Sequence, residues 1–173
     1  MADPICAPAT ALLPAAIAVV RVSGTDLRAR LGPLLQLPAP RQAALRSLGW
    51  ADYREQALVI YFPAPASYTG EDLVEFQLHG NPLLVRRFLE HLGTLAVRLA
   101  EPGEFTRRAL LNGKQGLLEA EALRDLVAAA TDTQLRQAMA RAGAQPAWIQ
   151  HTREVLAPWV ARAEAAVDYG EDE

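Results

Sequence analysis

The sequence predicts an α+β fold, a mixed α/β domain to about residue 113 followed by a partial helical domain. Three observations carry this. Apolar, β-branched runs such as Ile17–Val22 and Ala57–Phe62 end at turn residues, the signature of strands. Between the runs lie short helical segments framed by Asn, Pro and Gly. From about Leu117 the strand signals stop, and Leu123, Leu126, Val127 and Ala130 keep the i, i+3, i+4, i+7 rhythm of one helix face.

Each element follows from local chemistry. Ile17–Val22 (IAVVRV) is apolar apart from Arg21 and stops at Ser23-Gly24, which predicts a strand. Thr25–Leu35 reads as a short helix closed by a stretch with Pro38 and Pro40. Arg46–Asp52 is a weaker strand, and Ala57–Phe62 (ALVIYF) reads as a central strand buried on both faces. The turn-rich Pro63–Gly70 leads into Leu73–Leu78, where Val74, Phe76 and Leu78 share one face and Leu73, Glu75 and Gln77 the other. Asn81-Pro82 suits a helix start and Gly93 its end. Val97–Ala100 predicts a short strand, Glu101–Phe105 a turn, and a short helix then ends at Asn112-Gly113. A second long helix is expected from near Pro146 towards Val167, with Pro158 threatening a kink, before an acidic tail from Asp168 to Glu173.

The bulk composition narrows the class. With 173 residues, 51% of them hydrophobic, the chain suits one medium domain with a helical appendage. A net charge of −3 and a pI of about 5.7 disfavour autonomous nucleic-acid binding. Arg86–Arg87 and Arg107–Arg108 read as solvated helix surface. Cys6, the single cysteine, excludes an internal disulfide and a multi-cysteine metal site, and fits a reducing, cytoplasmic setting. The apolar run Ala11–Val20 is too short to span a bilayer and is broken by Pro14, and the residues before it carry an acid and no cation.

Familiar catalytic sites are absent from the sequence. The one Gly-Lys pair, Gly113-Lys114, continues as Gln115 and does not form a phosphate loop. His79, His91 and His151 lack metal-ligand spacing, so no metal site and no independent catalytic residue is expected. A binding constellation remains. Glu75, Gln77 and His79 fall at period two along one strand side and its exit. A carboxylate at Glu75 matches a ring N–H beside an exocyclic amine, as in a pterin, while Arg21 and Lys114 could neutralise carboxylates at the other end of such a ligand. The same spacing also describes a plain solvated sheet face.

Ordered blocks add a resemblance. Val20-Arg-Val-Ser-Gly24, Tyr61-Phe-Pro-Ala-Pro-Ala-Ser-Tyr-Thr-Gly-Glu-Asp72, Val74-Glu-Phe-Gln-Leu-His-Gly80, Arg98-Leu-Ala-Glu-Pro-Gly-Glu-Phe-Thr-Arg-Arg-Ala109 and Leu111-Asn-Gly-Lys114 resemble, in order and spacing, the opening of tRNA-modification GTPases of the MnmE (TrmE) type. Leu118–Leu126 resembles the start of that family's helical domain. The resemblance implies a GcvT-like folate-binding and dimerisation domain over residues 1–114, like that of aminomethyltransferases, with the start of a helical domain over residues 115–173. It implies a homodimer, formyl-tetrahydrofolate as cofactor, and folate contacts on Arg21, Glu75 and Lys114. The full proteins of the family act with an MnmG-type flavoprotein on the wobble uridine of tRNA.

The departures carry weight too. Where the family has a Pro-Gly-Arg-Gly-Gly loop, this chain reads Leu12-Leu-Pro-Ala-Ala16, without the glycines or the cation. Gln115-Gly116 replaces the usual Leu-Asp, and Asn81 replaces a glycine. The family's GTPase domain lies outside this sequence, so GTP hydrolysis is not expected of these residues. The competing expectation is a degenerate dimerisation module that has lost folate. Free-standing aminomethyl transfer fits less well, because Leu118–Leu126 points elsewhere and no general base stands out.

Overall fold

The computed structural model describes residues 3–142 and 147–168, which fall into two compact units, Met1–Gln115 and Gly116–Glu173. The acidic tail beyond Asp168, and Pro146 at the expected start of the last helix, lie outside the described residues.

In chain order the first unit comprises β1 (Ile5–Pro8), β2 (Ala15–Gly24), α1 (Leu27–Arg30), β3 (Ala44–Trp50), β4 (Tyr53–Phe62), β5 (Asp72–Gly80), α2 (Pro82–Thr94), β6 (Arg98–Leu99) and α3 (Glu104–Leu111). The strands form one six-stranded sheet in the order β3-β4-β5-β2-β1-β6. Every neighbouring pair is antiparallel except β1 with β6. The strand β1 was not anticipated, because four residues closed by a proline carry too little alternation to register.

Alternation along the strands gives the sheet two unlike faces. Val20, Val22, Val59, Val74 and Phe76 are fully buried on one, against Leu27 and Leu31 at α1 and Val85, Phe88 and Leu92 of α2. On the other, Val19, Arg21, Leu58, Ile60, Glu75 and Gln77 remain only partly covered. This corrects the reading of Ala57–Phe62 as buried on both faces. β4 sits one place from the sheet edge, and an antiparallel sheet with helices on one side leaves alternate residues open.

Helix α2 starts and stops where its residues dictate. Asn81 Oδ1 accepts from the N–H groups of Leu83 and Leu84 at 2.9 and 3.1 Å, and Pro82 occupies the first turn. Helix α1 is shorter than expected. Pro33 has no N–H to donate and disfavours helical geometry at Gly32, so the segment continues as turns that bury Leu31, Leu34 and Leu35.

The second unit holds α4 (Leu117–Ala128), α5 (Asp132–Ala142) and α6 (Ala147–Asp168). The expected single helix through Ala130 is interrupted. Gln134 Oε1 accepts from Ala130 and Thr131 N–H at 2.9 and 3.2 Å, while Thr131 Oγ1 accepts from Gln134 N–H at 3.3 Å. That reciprocal capping box, spelled Thr131-x-x-Gln134, starts a new helix and was overlooked in the helical periodicity. α4 and α5 pack through the small buried residues Ala122 and Ala138. α6 runs continuously through Pro158.

Candidate functional site

Strand register creates the core of the site. Arg21 on β2 stands opposite Glu75 on β5, so both side chains leave the half-open face. Arg21 Nε donates to Glu75 Oε1 at 2.7 Å, with the two side chains 39% and 18% exposed. The sequence reading set Arg21 at the far end of a ligand from Glu75, whereas the two side chains touch and the guanidinium holds the carboxylate in place.

Lys114 reaches the region by another route. It follows α3, is exposed, and packs beside the turn Pro63–Asp72 at Gly70. Gly70 has φ +78, and a Cβ there would lie 3.0 Å from Lys114 Cγ and 3.1 Å from Asn112 Cβ. Both the backbone and the close approach demand glycine. The same turn faces Arg21, because the Arg21 guanidinium carbon lies 6.0 Å from the centre of the Tyr68 ring. The Tyr68 hydroxyl is hydrogen-bonded with Thr106 Oγ1 at 3.0 Å and donates to Gln115 Oε1 at 3.3 Å. Arg21 and Glu75 therefore touch directly, while Lys114 contacts the Tyr68–Gly70 segment, which also meets Arg21.

A buried polar network fixes that segment. Ser23 and Thr69, both fully buried, share a 2.6 Å hydrogen bond, and Ser23 Oγ donates to Glu71 Oε2 at 2.9 Å. Arg108 Nη1 donates to both oxygens of Glu71, at 3.2 and 3.0 Å. Its Nη2 donates to Asp3 O at 2.8 Å and Glu104 Oε1 at 2.9 Å. Asn112 Nδ2 donates to Thr69 O at 2.7 Å. Glu104 also receives both terminal nitrogens of Arg98, at 2.8 and 2.6 Å, and the Glu101 N–H at 2.9 Å. The Arg98 hydrogen bond, outweighing the burial that opposes it, holds the Glu104 carboxyl well below the usual carboxylate range, with help from the Glu101 N–H and Arg108.

Arg108 is thus a buried clamp and not solvated helix surface, whereas Arg107 beside it is exposed. The helical period could have shown this. Arg108 follows Glu104 by four residues, which puts the two side chains on one face of α3. In the sequence Thr69 registers only within the turn Pro63–Gly70, and Glu71 only within the Tyr61–Asp72 block of resemblance.

His79 continues the polar parity of β5 and is exposed. Its N–H and Nδ1 both meet Glu55 Oε1, at 2.9 and 2.7 Å, and Glu55 is itself buried. Burial pushes the Cys6 thiol up to about 11, so it carries no thiolate at neutral pH. Among the described residues no group of His, Cys, Asp and Glu is placed to hold a metal ion, and no helix is long and apolar enough to cross a membrane.

Residues 4–114 match the family model described as GTP-binding protein TrmE N-terminus. The chain is similar to the tRNA modification GTPase MnmE of Phenylobacterium zucineum, 48% identical over the whole chain and 40% of that relative. It is 45% identical to the protein of the same description from Caulobacter vibrioides, again covering 40% of it. The mitochondrial 5-taurinomethyluridine-[tRNA] synthase subunit GTPB3 of Danio rerio is 45% identical over 91% of this chain and 33% of its own length. The chain spans about two fifths of the length of the first two relatives.

Proposed function

We propose, for a chain that belongs to the family of the GTP-binding protein TrmE N-terminus, that it is the formyl-tetrahydrofolate-binding and dimerisation region of a GTPase that modifies the wobble uridine of tRNA in the cytoplasm. The observation that carries the ligand reading is the cross-strand pair of Arg21 and Glu75 on the half-open sheet face, flanked by Tyr68 and approached by Lys114 through Gly70.

The residues present fit such a ligand. Glu75, with one oxygen fixed by Arg21 and its side chain 18% exposed, offers the paired acceptors that a ring N–H and adjacent amine require. Lys114 supplies a solvated cation for the carboxylate tail. The partly covered residues around the pair suit a second copy of the same face, in line with a homodimer on a GcvT-like domain. GTP hydrolysis, tRNA and an MnmG-type flavoprotein belong to the longer protein in this reading.

The direct Arg21–Glu75 contact also favours a second reading. Two charges that satisfy each other need no ligand, and Leu12–Ala16 lacks the family's glycines and arginine, which fits a dimerisation module that has lost folate. Titration calorimetry with formyl-tetrahydrofolate, on protein of known oligomeric state, separates the two. Micromolar binding abolished by Glu75→Ala is the expected result. No binding by a folded dimer would leave the second reading standing.

A further inference from the structure

A second concave site lies on the opposite, helix-covered side of the sheet, where the β3–β4 hairpin meets α2. Trp50 and Tyr53 are paired across the hairpin, and their rings stack at 5.8 Å between centres with planes 20° apart. His91 of α2 stacks on the same indole at 6.0 Å and 19°. These three rings, with Arg87, Glu90 and Thr94, line a cleft of about 280 Å³. A second hollow, carrying Arg54, shares Trp50 with it.

Three features set this cleft apart from ordinary packing. Trp50 is only 5% exposed, yet its indole N–H is buried with no hydrogen-bond partner among the described residues. A buried donor left unpaired is costly, so this indole is sensitive to any change in its surroundings. Tyr53 is 36% exposed and lies near-parallel to the indole, so a further flat ring would extend the stack. Burial lowers the pKa of His91, which keeps it a neutral ring at pH 7 and not a cation. Arg87 and Glu90 are the charged residues that line the cleft. The Arg87–Glu90 pair, at 2.8 Å, has both side chains about half exposed and is readily re-partnered.

We infer that this cleft is a single-nucleotide stacking site for RNA, taking an unpaired base against Tyr53 and His91 and its phosphate against Arg87. Aromatic faces beside a cationic side chain are how proteins hold unpaired nucleotides. The chain's net charge of −3 is compatible with one such contact, because a notch for one base needs no broad basic surface. The inference does not rest on the folate reading, since Arg21 and Glu75 lie on the other face of the sheet.

The test is a heteronuclear NMR titration of the 173-residue chain with a pentauridylate, following the Trp50 indole N–H. Trp148→Phe and Trp159→Phe variants assign that resonance. The indole signal is expected to move saturably with an affinity of about a millimolar. Tyr53→Ala or Arg87→Gln should weaken binding at least fivefold, and Glu75→Ala should leave it unchanged. An unmoved indole signal, or movement insensitive to Tyr53 and Arg87, overturns the proposal. Equal movement with inorganic phosphate alone would mean an anion site only, and movement with formyl-tetrahydrofolate but not RNA would mean a subsite of the other ligand. Either result overturns it as well.

Discussion

Phe76 and Glu75 are neighbours in the chain and stand on opposite faces of β5. Phe76 is fully buried and meets Phe88 edge-on, with ring centres 5.1 Å apart. Glu75 is partly open and satisfied by a single guanidinium. One strand therefore carries the fold on its even-numbered residues and the candidate chemistry on its odd-numbered ones. The separation allows changes on the open face that the core does not feel, and it makes the comparison easy to break.

The largest effect is expected from Phe76→Ala. Removing a fully buried ring leaves a cavity between the sheet and α2, and the loss should be about 3–5 kcal/mol. Chemical denaturation measures it directly. A loss near zero would mean that the covered face is not the core.

Arg108→Met asks whether the open side has a core of its own. The change removes the charged partner of Glu71 and one partner of buried Glu104, and should cost about 3 kcal/mol. It should also loosen the Tyr68–Gly70 segment, visible as faster amide exchange there. A change in stability with no change in exchange would separate the clamp from the candidate site.

Acid should reveal the same network. The folded pKa of Glu104 lies below its ordinary value of 4.5, so its contribution is complete above that value and is lost as pH falls below it, towards the folded pKa. Denaturation midpoints of the wild type should therefore fall with pH below about 4.5. Glu104→Gln should be less stable at pH 7 and less sensitive to acid. An identical pH dependence in the two proteins would show that other carboxylates govern acid unfolding.

What was legible in the sequence follows the same division. Alternation in Leu73–Leu78 placed Phe76 and Glu75 on opposite faces, and Asn81-Pro82 marked α2, because these are local rules that tertiary contacts did not override. Strand β1 and the break before α5 were missed. The first is too short to show a period, and the second is written in Thr131 and Gln134 rather than in apolar spacing. Arg21 opposite Glu75 depends on the register between residues fifty-four positions apart, which no single-strand pattern contains. Arg108 looked solvated because its partners, Glu71 and the Asp3 carbonyl, come from distant parts of the chain.

The smallest effect on stability should come from Glu75→Ala, and it bears most on function. An ion pair with one partner 39% exposed is screened by water, so its loss should cost less than about 1 kcal/mol. The variant should therefore remain folded, with a denaturation midpoint close to wild type, while failing to bind formyl-tetrahydrofolate. Both measurements belong on the same preparation, because each alone is ambiguous. A binding loss accompanied by several kcal/mol of destabilisation would make Glu75 a structural residue like Arg108, and the contrast between the two faces of β5 would collapse. A stable variant that still binds would move the ligand away from the Arg21–Glu75 pair.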